Sequence, residues 1–289
     1  MLAGTFTILA RDPESDQLGL AVQSKFLAVG AAVPSGRAGV GVVASQAWSN
    51  PTYGPRALAL LAEGRSPQET VAQLVSDDDE RNVRQVGVMD AQGRSAVHTG
   101  RHCFPWAGSV EDQDLACLGN VLAGPEVVEA MAERYRRTRG EFGDRLLDAL
   151  RAGQAAGGDR RGREAAAMVI VRPRADYKRL SDTYVNLRVD NHRDPIEELG
   201  RLLGLHRERF RWHEQQDLAL AGDVAMILQV ALGVLGYRSA PPYGPWDQSD
   251  DAALRRFCRD EGVSTTGLDA GRIAVQTFEA VRRRYALAP

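Results

Sequence analysis

The order in which two hydrophobic periodicities follow one another constrains this chain more than any other feature. Residues 5–10, 18–22, 29–33 and 39–44 are short apolar runs. Asp12-Pro13-Glu14-Ser15-Asp16 separates the first two and Pro34-Ser35-Gly36 the last two, which predicts antiparallel strands joined by turns. Helical spacing begins only afterwards. Residues 53–62 end at Gly64, and 66–75 open with Ser66 as N-cap and Pro67 at the first helical position. A hairpin over 85–89 and 95–99, joined through Asp90-Ala91-Gln92-Gly93, and a strand at 115–118 come next. Two more helices (125–138 and 142–152) and two more strands (165–171 and 183–189) complete the series. Strands, a helix pair, strands, a helix pair and strands predict an α+β protein, a four-layer αββα sandwich in which helices cover two stacked sheets. A doubly wound fold would alternate strand and helix.

From residue 194 to about 212 a charged helix rich in Arg and Glu reads as a connector, and the remainder changes character. Apolar spacings over 224–235, 249–260 and 269–285 predict a small all-α module, so the chain divides near 1–205 and 206–289. With 38 acidic against 36 basic residues the net charge is −2, which gives no global footprint for nucleic acid or an anionic membrane. Three cysteines without a C-x-x-C pairing specify neither a disulfide framework nor a zinc site, which suits a reduced, cytoplasmic setting. Residues 1–11 show no export signal, and no stretch reaches the roughly 20 apolar residues of a membrane span.

Thr5 opens the first strand beside Gly4. A threonine hydroxyl at a free chain terminus has a general base in its own α-amine, so it needs no histidine; equally, threonine is an ordinary residue at a strand start. Only two of the 36 basic residues are lysines, Lys25 and Lys178. Lys25 follows the second strand, whose far end returns beside Thr5 in a hairpin. There an ammonium would stabilise a developing alkoxide, or would simply snorkel from the strand end. Ser45, Gln46 and Asn50, and Asn120 after Gly119, offer donors for a tetrahedral oxyanion or satisfy local turns. Asp159 with Arg160, Arg161 and Arg163 follows two glycines and suits a substrate carboxylate or a charged turn. Asp190 and His192 close a strand and read mainly as surface, and adjacent His102 and Cys103 would point to opposite strand faces. No H-E-x-x-H and no P-loop pattern occurs, so no metal or cofactor is implied.

Five blocks carry a resemblance: Thr5-Phe6-Thr7-Ile8-Leu9-Ala10-Arg11-Asp12, Gln23-Ser24-Lys25-Phe26-Leu27-Ala28-Val29-Gly30, Ser45-Gln46-Ala47-Trp48-Ser49-Asn50, Gly119-Asn120-Val121-Leu122-Ala123-Gly124 and Gly157-Gly158-Asp159-Arg160-Arg161-Gly162. Together, over about residues 4–205, they resemble a bacterial family known as domain of unknown function 1028, itself similar to N-terminal-nucleophile hydrolases. The resemblance implies an amidohydrolase acting on a small-molecule or peptide amide, without a cofactor and as a homo-oligomer. Thr5 would be the nucleophile, Lys25 its electrostatic support, and Asn50 and Asn120 catalytic donors. Ser24, Ser45, Gln46, Trp48, Asp159, Arg160 and Arg163 would contact substrate. Family members usually begin Met-Thr-Phe, whereas Leu2-Ala3-Gly4 intervene here. Thr5 is then freed by attack on the Gly4 carbonyl or by a downstream start, or is never freed and the protein is not a hydrolase. The tail, with Tyr243-Gly244-Pro245-Trp246-Asp247 between helices, resembles peptidoglycan-binding-like modules, whose aromatics would meet a cell-wall fragment or fill a small core. The rival reading is a non-catalytic binding or scaffold protein that uses the tail for recognition.

Overall fold

The computed structural model describes residues 4–173, 175, 181–210, 217–239, 241–265 and 267–288; Met1, Leu2, Ala3, Lys178, Trp212, Gln215 and Pro289 lie outside them. The chain divides into two compact units, Met1–His206 and Arg207–Pro289. The first is a mixed α/β unit with antiparallel sheets. In chain order it runs β1 (Thr5–Asp12), β2 (Gln17–Ser24), α1 (Val29–Ala32), β3 (Pro34–Arg37), β4 (Gly41–Ala47), α2 (Tyr53–Ala62) and α3 (Pro67–Ser76). It continues with β5 (Arg84–Asp90), β6 (Ser95–Thr99), β7 (Gly108–Asp112), β8 (Leu115–Asn120), α4 (Glu126–Arg137) and α5 (Phe142–Ala155). Then come β9 (Ala165–Val171), β10 (Thr183–Val189) and α6 (Pro195–Phe210).

One sheet has the order β10-β9-β2-β1-β8-β7 and the other β3-β4-β5-β6. Both faces of β1 are buried, so its two residue sets pack differently. Phe6 and Ile8 meet Met131, Leu146 and Leu150 of α4 and α5. Leu9, with Leu20 and Val22, faces Val42, Ala44 and Met89 across the gap between the sheets. On the far side of the second sheet Val43, Val86 and Val88 pack on Tyr53, Ala57 and Leu74 of α2 and α3. Each fully buried Leu, Ile or Phe contributes roughly 1.5–3 kcal/mol. The capping box of Ser66 and Glu69 starts α3 as the sequence signals.

Three strand expectations are corrected. The expected strand over 29–33 is instead the short helix α1 (Val29–Ala32), because Ala28 adopts left-handed φ 55° and turns the chain off the sheet. Pro34-Ser35-Gly36 is part of β3, an edge strand whose first residue is proline, where no ladder hydrogen bond is lost. The polar edge strand β7 carries no hydrophobic alternation and so was not foreseen. Among the described residues, five non-glycines have positive φ. Asp16 and Asp114 sit in hairpin turns, where aspartate tolerates that conformation. Ala28, Ala47 and Val121 instead lie just past or at the ends of β2, β4 and β8, near where Thr5 begins β1. Such strain in Ala and Val persists only where surrounding structure imposes it.

The second unit contains β11 (Asp217–Ala219), α7 (Gly222–Val234), α8 (Gln248–Glu261), β12 (Arg272–Ala274) and α9 (Val275–Ala286). Leu228, Leu232, Leu254, Phe257 and Phe278 form its core. The expectation of an all-α module is corrected: β11 pairs antiparallel with β12. Gly271, at φ 67°, breaks the start of the third expected helix, which begins only at Val275. Strands of three residues are too short to leave a periodic signal.

Candidate active site

Antiparallel register brings three strand ends together: Thr5 lies opposite Ser24 of β2 on one side and Asn120 of β8 on the other. Thr5 is buried to 1% exposure, with Gly4 still ahead of it. Its Oγ1 donates to Ser24 Oγ at 3.1 Å, and Ser24 Oγ in turn donates to the Gly4 carbonyl. A second donor, Arg161 Nη2, reaches the same carbonyl oxygen at 2.9 Å. The Gly4–Thr5 peptide therefore has a hydroxyl beside it and two donors on its carbonyl oxygen.

Asp159 aims that guanidinium. Its side chain is fully buried and accepts from Arg161 Nε at 3.1 Å and Nη2 at 2.7 Å, a bidentate pairing. The backbone N–H groups of Arg161 and Lys25 donate to it at 3.0 and 2.9 Å. The carboxylate also fixes the identity of residue 4: a Cβ there would sit 2.7 Å from Asp159 Oδ1. The Gly157-Gly158 turn, with Gly157 at φ 114°, returns the chain alongside β8's continuation through Ala123 N–H to Gly158 carbonyl and Arg160 N–H to Val121 carbonyl.

Behind Thr5 runs a buried amide network. Thr7 Oγ1 donates to Gln46 Oε1 at 2.6 Å, and Gln46 Nε2 and Asn120 Nδ2 donate to Gln85 Oε1 at 2.8 and 2.9 Å. Gln85 Nε2 closes it on the Gly119 carbonyl at 2.8 Å and on Thr99 Oγ1 at 2.9 Å. A buried polar set satisfied in this way fixes one arrangement of the two sheets. Neither Thr7 nor Gln85 was singled out from the sequence.

The other expected site residues divide clearly. Ser24, Gln46, Asn120 and Asp159 join Thr5 in the cluster or the network behind it. The Lys25 ammonium does not: it pairs with Glu164 at 3.3 Å, its side chain is 43% exposed, and among the described residues it makes no hydrogen bond to Thr5. Ser24, the last residue of β2, points at Thr5, while Lys25, one residue past the strand, turns to Glu164. Ser45 and Asn50 build the loop after β4. Ser45 Oγ donates to the Asn50 carbonyl at 3.0 Å, while Asn50 accepts from Thr52 N–H at 3.0 Å and donates to Asp78 at 3.2 Å. Arg160 is exposed, and Arg163 pairs with Asp194 at 2.5 Å, away from the cluster. Asp190 pairs with Arg188 on the surface, and His192 Nδ1 accepts from the Asp194 N–H. Burial pushes the Cys103 thiol up, and its sulfur donates to the Arg84 carbonyl.

A second Asp–Arg pair stands at the loop. Asp78 accepts from Arg84 Nε at 3.0 Å, Tyr53 Oη at 2.9 Å and the Glu80 N–H at 2.8 Å. Burial pushes its carboxyl up, yet the bonds from Arg84, Asn50, Glu80 and Tyr53 outweigh burial and hold it well below the usual carboxylate range. Burial and the bond to Asp78 push the Tyr53 phenol well above its own. Thr5 and Gln46 also line a cavity of about 410 Å³, walled by Phe26, Val29, Val33, Ala47 and Trp48 and edged by Arg84. Among the described residues no group of three or more His, Cys, Asp or Glu is placed to hold a metal.

Residues 5–199 match the model of a family of unknown function, DUF1028. The chain belongs to this family. A solved member is protein SPO2555 from Silicibacter pomeroyi, 32% identical, with a TM-score of 0.65, 77% of this chain and 92% of that one being covered. Residues 209–261 match the model described as "Putative peptidoglycan binding domain". No curated protein matches. Within this DUF1028 chain, no described helix is long and apolar enough to cross a membrane.

Proposed function

We propose that this DUF1028 protein is an amide-bond hydrolase whose nucleophile is Thr5, released by cleavage of the Gly4–Thr5 bond. The observation that carries the reading is the doubly donated Gly4 carbonyl beside the Thr5 hydroxyl. Thr5 Oγ attacks that carbonyl carbon, the peptide C–N bond breaks and an ester forms; water then hydrolyses the ester, leaving residue 4 as a carboxylate and Thr5 with a free α-amine. As attack proceeds the Thr5 proton passes to Ser24 Oγ, and Ser24 and Arg161 share the charge developing on the carbonyl oxygen; when the tetrahedral adduct collapses, that proton moves to the Thr5 nitrogen, which leaves as the α-amine. In the mature site the α-amine serves as general base toward a substrate amide.

The succession of helices, sheet, sheet and helices, with the nucleophile at the start of a central strand, supports the likeness to N-terminal-nucleophile hydrolases. The positioned cation in this reading is Arg161, with Lys25 contributing its backbone N–H to Asp159. The match over residues 209–261 supports a second unit that binds a cell-wall fragment. There Tyr243, 78% exposed, offers a stacking face, while Trp246 packs against the core and donates to Asp251 at 2.7 Å. The test is a panel of small amides offered to the protein and to Thr5→Ala. Turnover that the substitution abolishes supports the mechanism; turnover that survives it overturns the assignment.

A further inference from the structure

The two sides of Thr5 differ in chemistry. Toward Gly4 lie Ser24, Asp159 and Arg161, all polar and tightly interlinked. On the other side the cavity wall of Phe26, Val29, Val33, Ala47 and Trp48 presents carbon, with Trp48 still 49% exposed. The charged residue at its edge, Arg84, has its guanidinium engaged by Asp78, by Glu80 and, at 2.7 Å, by the Trp48 carbonyl. The Gln46 amide is held by Thr7 and Gln85. The Ser49 hydroxyl, also in the lining, donates to the Ala32 and Ser45 carbonyls at 3.2 and 2.9 Å. The charged and amide side chains of the lining are thus already engaged, and an anion or cation entering would lose water with little compensation. About 410 Å³ falls within the size range of small-molecule sites.

We propose that this cavity receives the acyl half of the substrate and that this half is an uncharged, apolar chain. The proposal rests on Thr5 being the nucleophile. When Thr5 Oγ bonds to the substrate's acyl carbon, the amide C–N bond breaks and the amine departs with the hydroxyl proton; water then cleaves the ester to the acid and restores the hydroxyl. The acyl half stays attached through both steps, so it belongs in the walled cavity, and the departing amine belongs on the polar side.

Processed protein is assayed with straight-chain acyl p-nitroanilides from acetyl to octanoyl, with succinyl and trimethylammoniobutyryl anilides as the charged arms. In parallel, neutral N-methyl alkylamides are titrated calorimetrically into Thr5→Ala, which cannot turn over. The expected result is a kcat/KM that rises roughly fourfold per methylene until the cavity is filled. Charged chains should fall at least about tenfold below neutral chains of equal length. Trp48→Ala, which removes a wall, and Ala31→Trp, which narrows the space, should both flatten the gradient. Turnover without length dependence, or favouring a charged chain, overturns the substrate class and leaves Thr5 as nucleophile. Absence of turnover together with a length gradient in binding overturns the acyl assignment through the hydrolase reading, while the apolar cavity stands. Absence of both overturns cavity and mechanism together.

Discussion

Two aspartate–arginine pairs in the first unit use the same chemistry for different ends. At Asp78–Arg84, with side-chain exposures of 10% and 11%, every partner is scaffold: Tyr53, Asn50, Glu80 and the Trp48 carbonyl. The pair fastens the loops after β4 and α3. At Asp159–Arg161 the carboxylate is equally enclosed, but the guanidinium extends past it to the Gly4 carbonyl beside a hydroxyl. A buried ion pair is thus no mark of a site. What separates the two is whether the cation is aimed at a peptide carbonyl with a hydroxyl alongside.

Substitutions at each pair should separate these roles. The largest effect is expected at Arg161→Ala: loss of one oxyanion donor should slow Gly4–Thr5 cleavage by about 10²–10³-fold, followed as mass change over time. The melting temperature of that variant should fall as well, because it leaves the fully buried Asp159 carboxylate without its cation, so cleavage is compared in the folded fraction. Next comes Asp78→Ala, expected to cost about 3–5 kcal/mol because Arg84 keeps its charge. At roughly 2–4 °C per kcal/mol the melting temperature should fall accordingly, with cleavage in the folded fraction unchanged. Cleavage lost along with stability would mean that the second pair also serves the chemistry.

A smaller effect follows from pH. The folded-state carboxyl of Asp78 lies below its ordinary value, so its contribution is fully present above the unfolded pKa, near 4, and is lost as pH falls toward the depressed one. Melting temperatures measured from pH 5 to pH 2 should therefore drop more steeply for the wild type than for Asp78→Asn. The smallest effect is expected at the exposed Lys25–Glu164 pair. Lys25→Met should change stability by no more than about 1 kcal/mol and leave the cleavage rate unaltered. A large loss of rate would transfer the electrostatic role from Arg161 to Lys25.

Much of the frame was legible because it rests on periodicity. The first hairpin and the run of helix pairs follow from apolar spacing, and the hairpin alone brings Ser24 opposite Thr5. What stayed hidden depends on loop geometry. Arg160, Arg161 and Arg163 look alike in sequence, yet Asp159 accepts the backbone N–H two residues on, and this Asx turn swings Arg161 back over the carboxylate. An aspartate after Gly-Gly with arginine at the second position following is the available signal. Lys25 drew notice through the rarity of lysine, but it lies one residue past β2 and pairs with Glu164, and the residue opposite Thr5 is Ser24. Asn50 likewise forms an Asx turn to Thr52, and its amide N–H, the expected oxyanion donor, is given to Asp78.

The N-terminal residue of the purified protein is the decisive measurement. Intact mass combined with N-terminal sequencing should find wild-type chains beginning at Thr5 and lacking Gly4, and Arg161→Ala chains still carrying Gly4 at the same age. Wild-type protein that hydrolyses amides while Gly4 remains bonded to Thr5 would contradict the account.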